Sequence, residues 1–185
     1  MRSTSEAWSL ATAFAASAAE EKSRELILAL LDQTEAPFSR HQFQPGHITC
    51  TALVLHPDGK RVLLVHHHRL RRWLLPGGHV EESDPTLGDA ARREAAEETA
   101  VRIAPASIAR LAGMDVHAIP ARKGEPFHLH HDLIFALDAE SGDIACTEEA
   151  PQVAWCGLDQ FARYEVPTSI GGAVRRATRT QILNR

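Results

Sequence analysis

Three glutamates, Glu94, Glu97 and Glu98, stand where a helix should be turning an apolar face to a core. Residues 84–99 read as that helix. Asp84 is placed to cap it, and Pro85 falls at the first helical position, where its missing N–H goes unused. At about 100° per residue the three glutamates fall within one arc of about 100°. Leu87, Ala90 and Ala91 lie on the same side as Glu94 and Glu98, whereas Asp89, Arg92 and Ala96 lie opposite. The stripe that should face the interior therefore turns from apolar to acidic along its length. A solvated acidic face is the commoner meaning of a glutamate run, but the phase of this helix argues against it. Inward carboxylates are costly unless paired or bound to metal. Arg93, four residues before Glu97, can pair with it. That leaves Glu94 and Glu98 in need of partners.

An oxygen-only ligand set favours a hard ion, Mg2+ with Mn2+ as the alternative. Magnesium keeps several waters and shares phosphate oxygens with its substrate. The pair Gly77-Gly78 stands a short way before the acidic helix, where its backbone can approach a ligand closely or turn sharply.

Gly77-Gly78-His79-Val80-Glu81-Glu82-Ser83-Asp84, followed by Arg93-Glu94-Ala95-Ala96-Glu97-Glu98-Thr99, resembles the Nudix box. That pattern is Gly, five residues, Glu, seven residues, then Arg-Glu-apolar-any-Glu-Glu-any-Gly-apolar. Gly78 matches its first glycine, and Arg93, Glu94, Ala95, Glu97, Glu98 and Val101 match its second half. Two departures stand out. The interval from Gly78 to Arg93 is one residue too long, so the loop acid is Asp84, Glu81 or Glu82 rather than a glutamate in the expected place. Ala100 occupies the glycine position. If that position is left-handed, alanine costs roughly 1 kcal/mol relative to glycine.

The resemblance implies a Nudix-type α/β/α sandwich with a mixed sheet. It implies Mg2+-dependent hydrolysis of a diphosphate linkage in a nucleoside-diphosphate-linked or similar small molecule. By position, Glu97 and Glu98 become metal ligands, Glu94 a further ligand or the general base, and Arg93 the residue that orients the glutamates. Gly78 joins the metal site, and Gly77, Gly78, His79, Arg72 and Trp73 join the substrate site. Trp73 either stacks a base or packs the core. Arg69, Arg71 and Arg72 either bind terminal phosphates or decorate a hairpin. Glu125, Glu148 and Glu149 are further candidates for the base, or simple surface charges.

Eleven histidines is a high number for 185 residues. His66, His67, His68, His79, His117, His128, His130 and His131 either converge or stand apart. His128 and His130 share one strand face by the period of two. His79 with His128 or His130 contacts phosphate, acts as acid or base, or binds a second, softer metal.

Residues 3–33 are helical, as one helix or a pair, and residues 35–45 are a polar link. This gives an N-terminal helical extension over 1–45 and the Nudix domain over 46–185. Strands are expected over 48–55, 61–67, 73–76, 108–117, 127–138 and 152–156, and helices over 159–164 and 168–183. A net charge of -4 excludes a broad basic footprint for nucleic acid. No apolar run is long enough to span a membrane. Three scattered cysteines without a CxxC motif suit a reducing cytoplasm. The N-terminal helices serve as a homodimer contact or as a lid. Two rivals share the fold: a catalytically weak sensor that binds a nucleotide, and a diphosphate isomerase that needs a reactive thiol such as Cys50.

Overall fold

A computed structural model describes residues 4–67, 71–148 and 150–183. Residue 3, at the start of the expected N-terminal helix, and His68, Arg69 and Glu149, named above, lie outside the described residues. The elements are α1 (Thr4–Ala13), α2 (Glu21–Gln33), β1 (Gly46–Leu55), β2 (Arg61–His67), β3 (Arg72–Leu74), β4 (Gly77–His79), α3 (Leu87–Thr99), β5 (Arg110–Ile119), β6 (His128–Asp138), β7 (Val153–Gly157) and α4 (Thr168–Leu183).

The sheet runs β3-β2-β1-β6-β5, with β4 added to β1 and β7 to β2. It is mixed. β1 and β6 run parallel in register from Gly46 opposite Leu129 to Leu55 opposite Asp138, while the other pairs are antiparallel. Strand alternation splits the side chains between two cores. Ile48, Cys50, Ala52 and Val54 of β1 and Leu133, Phe135 and Leu137 of β6 pack with α1, α2 and α3. Leu53, Leu55, Ile134 and Ala136 face the other way, onto Ile170, Ala173, Val174 and Ala177 of α4. The result is the expected α/β/α sandwich, with the N-terminal helix pair built into the first core.

The N-terminal helical run breaks into a pair. The Ser17 N–H (3.0 Å) and hydroxyl (2.6 Å) donate to the Glu20 carboxylate and turn the chain there. Glu20 is buried and reaches α4, where Arg176 Nη1 donates to its Oε1 at 2.7 Å. Burial raises the Glu20 pKa, but the bonds from Arg176 and Ser17 outweigh it and bring the net value below 4.5. A carboxyl held down in this way contributes stability above its unfolded pKa and loses it as pH falls through the folded value. Glu20→Ala is expected to destabilise the fold by about 3 kcal/mol at neutral pH. In urea titrations its deficit should shrink as pH drops below 4.5.

Several boundaries differ from the expected ones: β1 begins at Gly46 rather than at residue 48, β5 spans Arg110–Ile119 rather than 108–117, β4 was not expected as a strand, and two helices change. Helix α3 begins at Leu87 rather than at residue 84, and its cap is Thr86, whose Oγ1 accepts the Asp89 N–H at 3.1 Å. Asp84 closes the preceding loop instead, accepting the Glu81 N–H at 2.8 Å. The expected helix over 159–164 is only a 3-10 turn, Leu158–Gln160, because Phe161 and Tyr164 are both drawn onto the second core. At the far end of α3, Ala100 is left-handed, with φ 53° and ψ 15°. Ala100→Gly should therefore raise stability by about 1 kcal/mol, read as a higher melting temperature.

Candidate active site

Helix α3 buries Leu87, Ala90, Ala91 and Ala95, so the next turns of the same stripe carry Glu94 and Glu98 to the edge of β4. Arg93 lies at the centre of the polar contacts. Its Nε donates to Asp84 Oδ1 at 2.8 Å, and Nη1 donates to Glu94 Oε1 at 3.0 Å and to Glu97 Oε2 at 2.8 Å. Nη2 donates to the His79 carbonyl at 2.8 Å. The bond to Asp84, against some burial and together with the glutamates, raises the Arg93 pKa further. The expected Arg93–Glu97 pair is therefore present, and Glu94 shares the same guanidinium. Glu97 is half exposed, whereas Glu94 keeps only 13% of its side chain in solvent.

Glu94 and Glu98 close on the same two glycines. Glu98 Oε2 accepts the Gly77 N–H at 3.0 Å. A Cβ at Gly78 would lie 2.7 Å from Glu94 Oε2, and one at Gly77 would lie 2.5 Å from Thr51 Oγ1. Only glycine lets the carboxylates come this close to the strand. The donor set is therefore two carboxylates closing on a backbone that a side chain would obstruct. It fits a hard divalent ion that takes one or two protein carboxylates and completes its shell with water and phosphate.

Beside the glutamates lies a cavity of about 470 Å3, lined by Glu98, Gly77, Gly78, Thr49, Thr51, Asp115, His117, His130, Asp132 and Arg72. Its volume suits a small ligand. Asp132 is buried and accepts the Thr49 hydroxyl at 2.9 Å and the Thr51 hydroxyl at 2.7 Å. Burial raises its pKa against the pull of His117 and the two hydroxyls. Asp115 Oδ2 is 3.1 Å from His117 Nδ1. Burial lowers His117, but the Asp115 bond and the Asp132 and Asp115 charges carry it above its ordinary value.

A row of histidines crosses the same sheet face: His79 on β4, His47 on β1, His130 on β6 and His117 on β5. Ring centroids are 5.0 Å apart for His47–His79, 4.9 Å for His47–His130 and 5.6 Å for His117–His130. Burial first, then the neighbouring rings, holds His130 down to about 2 and His79 down to about 4.

Of the residues expected from sequence, Gly77, Gly78, Glu98, Arg72 and His130 line the cavity, with Glu94 and His79 against them. Trp73 does not line it. Alternation with Arg72 sends it to the second core, edge-on to Tyr164 at 5.2 Å and His66 at 5.3 Å. These contacts support the packing reading of Trp73. His128 is buried and stacked on His47 at 5.1 Å, beside the cavity rather than in it. Glu125 sits on the β5–β6 loop, bonded twice to Arg122 at 2.6 Å. Sequence reading missed His47, Thr49, Thr51, Asp115 and Asp132. Asp132 was detectable, two residues beyond His130 on the same face. His47 was not, because the strand begins two residues earlier than its apolar run. Cys50, the thiol an isomerase was expected to need, is fully buried, and burial pushes it well up.

A mixed-sheet sandwich that brings an acidic helix and a glycine strand together at a cavity has the architecture of the Nudix class. The NUDIX domain model matches residues 46–176, well over half the chain. The chain belongs to that family, as a hydrolase of phosphoric anhydrides. Solved structures agree in fold. A NUDIX-family hydrolase from Clostridium perfringens is 17% identical, with a TM-score of 0.55 over 80% of this chain and 99% of its own. A MutT NUDIX hydrolase from Burkholderia pseudomallei is 23% identical, with a TM-score of 0.52 over 70% and 95%. An Ap4A hydrolase from C. elegans is 18% identical, with a TM-score of 0.51 over 74% and 97%. No curated protein matches the chain in sequence.

Proposed function

We propose that the protein hydrolyses the diphosphate linkage of a nucleotide-like small molecule, using Mg2+, or Mn2+ in its place, held by Glu94, Glu98 and the Gly78 backbone. The observation that carries this reading is the closure of two carboxylates on one glycine strand at the mouth of a small-ligand cavity. A bound divalent ion supplies charge neutralisation on phosphate oxygens and activation of a water.

The chain's own residues do the rest. Glu98, at the cavity edge, is the principal ligand. Glu94 is a second ligand or takes the proton of the attacking water. Arg93 is a positioning residue, fixing Glu94, Glu97 and the His79 carbonyl relative to Asp84. Glu97 faces Arg93 and solvent and serves as an outer ligand. Arg72, exposed on the lining, is placed for a phosphate. Asp132 and Asp115 offer polar recognition to the remainder of the substrate. The Ap4A hydrolase among the structural relatives makes dinucleoside polyphosphates the first compounds to try, with modified nucleoside triphosphates and ADP-ribose beside them. The domain proper is residues 46–185, with 1–45 as its helical extension. Three free thiols accompany a cytoplasmic assignment. Among the described residues no helix is long and apolar enough to cross a membrane.

The test is a panel of nucleoside-diphosphate-linked compounds assayed with Mg2+, with Mn2+ and with chelator. Metal-dependent release of a nucleoside monophosphate or phosphate is expected. Tight binding with no cleavage across the panel would make the protein a sensor.

A further inference from the structure

We infer that His47, His79 and His130 form a second metal site, separate from the glutamates and suited to a borderline-soft divalent ion of the zinc class. The three residues come from three neighbouring strands. His47 and His130 face each other directly across the parallel β1–β6 pair, and His79 ends β4 opposite Thr49. One ligand atom from each lies within 4.8 Å of the others. Zinc takes imidazole nitrogens at roughly 2.0–2.1 Å, so an ion between the three rings would draw their nitrogens inward.

The second observation is an orphaned nitrogen. His47 is fully buried, and its Nδ1 lies 3.1 Å from the Gln42 carbonyl. A carbonyl only accepts, so Nδ1 carries the proton and Nε2 keeps its lone pair. That Nε2 is buried with no hydrogen-bond partner. A buried polar atom left unmade costs about 1–3 kcal/mol, and a metal ion satisfies it. The outer contacts match those of metal-binding histidines. A backbone carbonyl fixes the His47 tautomer, and His128, itself 2.9 Å from the Pro126 carbonyl, stacks on the His47 ring.

Imidazole donors select zinc, copper, nickel or iron, whereas the all-oxygen glutamate site selects magnesium or manganese. The two sites thus divide metals by ligand softness. Three protein nitrogens and one remaining position is the pattern of a zinc site that exchanges its fourth ligand, a water or a substrate oxygen. His79 follows Gly78 directly, so the two sites meet at the same strand. This assignment stands whether or not the glutamates bind magnesium.

The test uses the full chain without a histidine tag, stripped of metal and titrated calorimetrically with Zn2+ in excess Mg2+. One zinc ion per chain is expected, and Co2+ in its place should give the intense visible bands of a tetrahedral ion. His79→Ala and His130→Ala should each weaken zinc binding by more than the roughly 10–100-fold that loss of an outer partner costs. Glu98→Gln should leave it unchanged. Circular dichroism checks each variant's fold, and His79, at a strand end, remains testable where a core substitution disrupts folding. Failure to bind zinc, binding that persists in both histidine variants, or binding lost in Glu98→Gln would overturn the assignment.

Discussion

Glu98→Gln is expected to lower kcat by at least about 10³-fold while leaving the fold intact. The side chain lines the cavity, and its Oε2 accepts the Gly77 N–H at 3.0 Å. Glutamine keeps the shape and an oxygen acceptor for that N–H but removes the charge that holds a cation. The loss should fall on turnover, with the thermal transition little changed, because glutamine keeps the volume of this half-buried side chain and its bond to Gly77. Steady-state kinetics at saturating Mg2+ reads the effect. A fully active glutamine variant would remove Glu98 from the chemistry.

Arg93→Ala should have the largest effect on stability. The guanidinium serves Asp84, Glu94, Glu97 and the His79 carbonyl at once. Asp84 keeps only 3% of its side chain exposed, so removing Arg93 takes the countercharge from a buried carboxylate. Breaking such a pair costs about 3–5 kcal/mol. In a domain of this size that is a fall of about 10 °C in melting temperature. Activity should fall as well, because Glu94 and Glu97 lose the partner that sets their direction. Arg93→Lys keeps the charge but not the fork, and should recover part of the stability and less of the activity. If calorimetry shows Arg93→Ala as stable as the parent, the Asp84–Arg93 link does not hold the loop.

The two variants separate charge from position, and the difference follows from how the sequence encodes each. The inward turn of Glu94 and Glu98 was legible from helix phase, because a period of 3.6 fixes a face without knowledge of the neighbours. Gly77-Gly78 was legible only through its spacing from that helix. Its physical reason, a Cβ striking Glu94 and Thr51, needs the packed strand. Asp84 was seen as the loop acid but assigned to a cap. Its true partner is nine residues away, and the helix starts at Leu87 with Thr86 as its cap. The β1–β6 pairing joins residues more than eighty positions apart. Hence the contacts of Thr49 and Thr51 with Asp132, and the meeting of His47 with His130, could not be read from local pattern. The substitution of Ala100 for glycine was visible in the sequence, and the left-handed φ of 53° gives it its meaning.

Crystals grown with Mn2+ and a non-hydrolysable diphosphate analogue give the most direct test, through the anomalous signal of manganese. The peak is expected between Glu94 and Glu98, against the Gly78 backbone, with analogue oxygens completing its shell. A manganese peak bound elsewhere, with both carboxylates still turned away from it and from the analogue, would contradict the account.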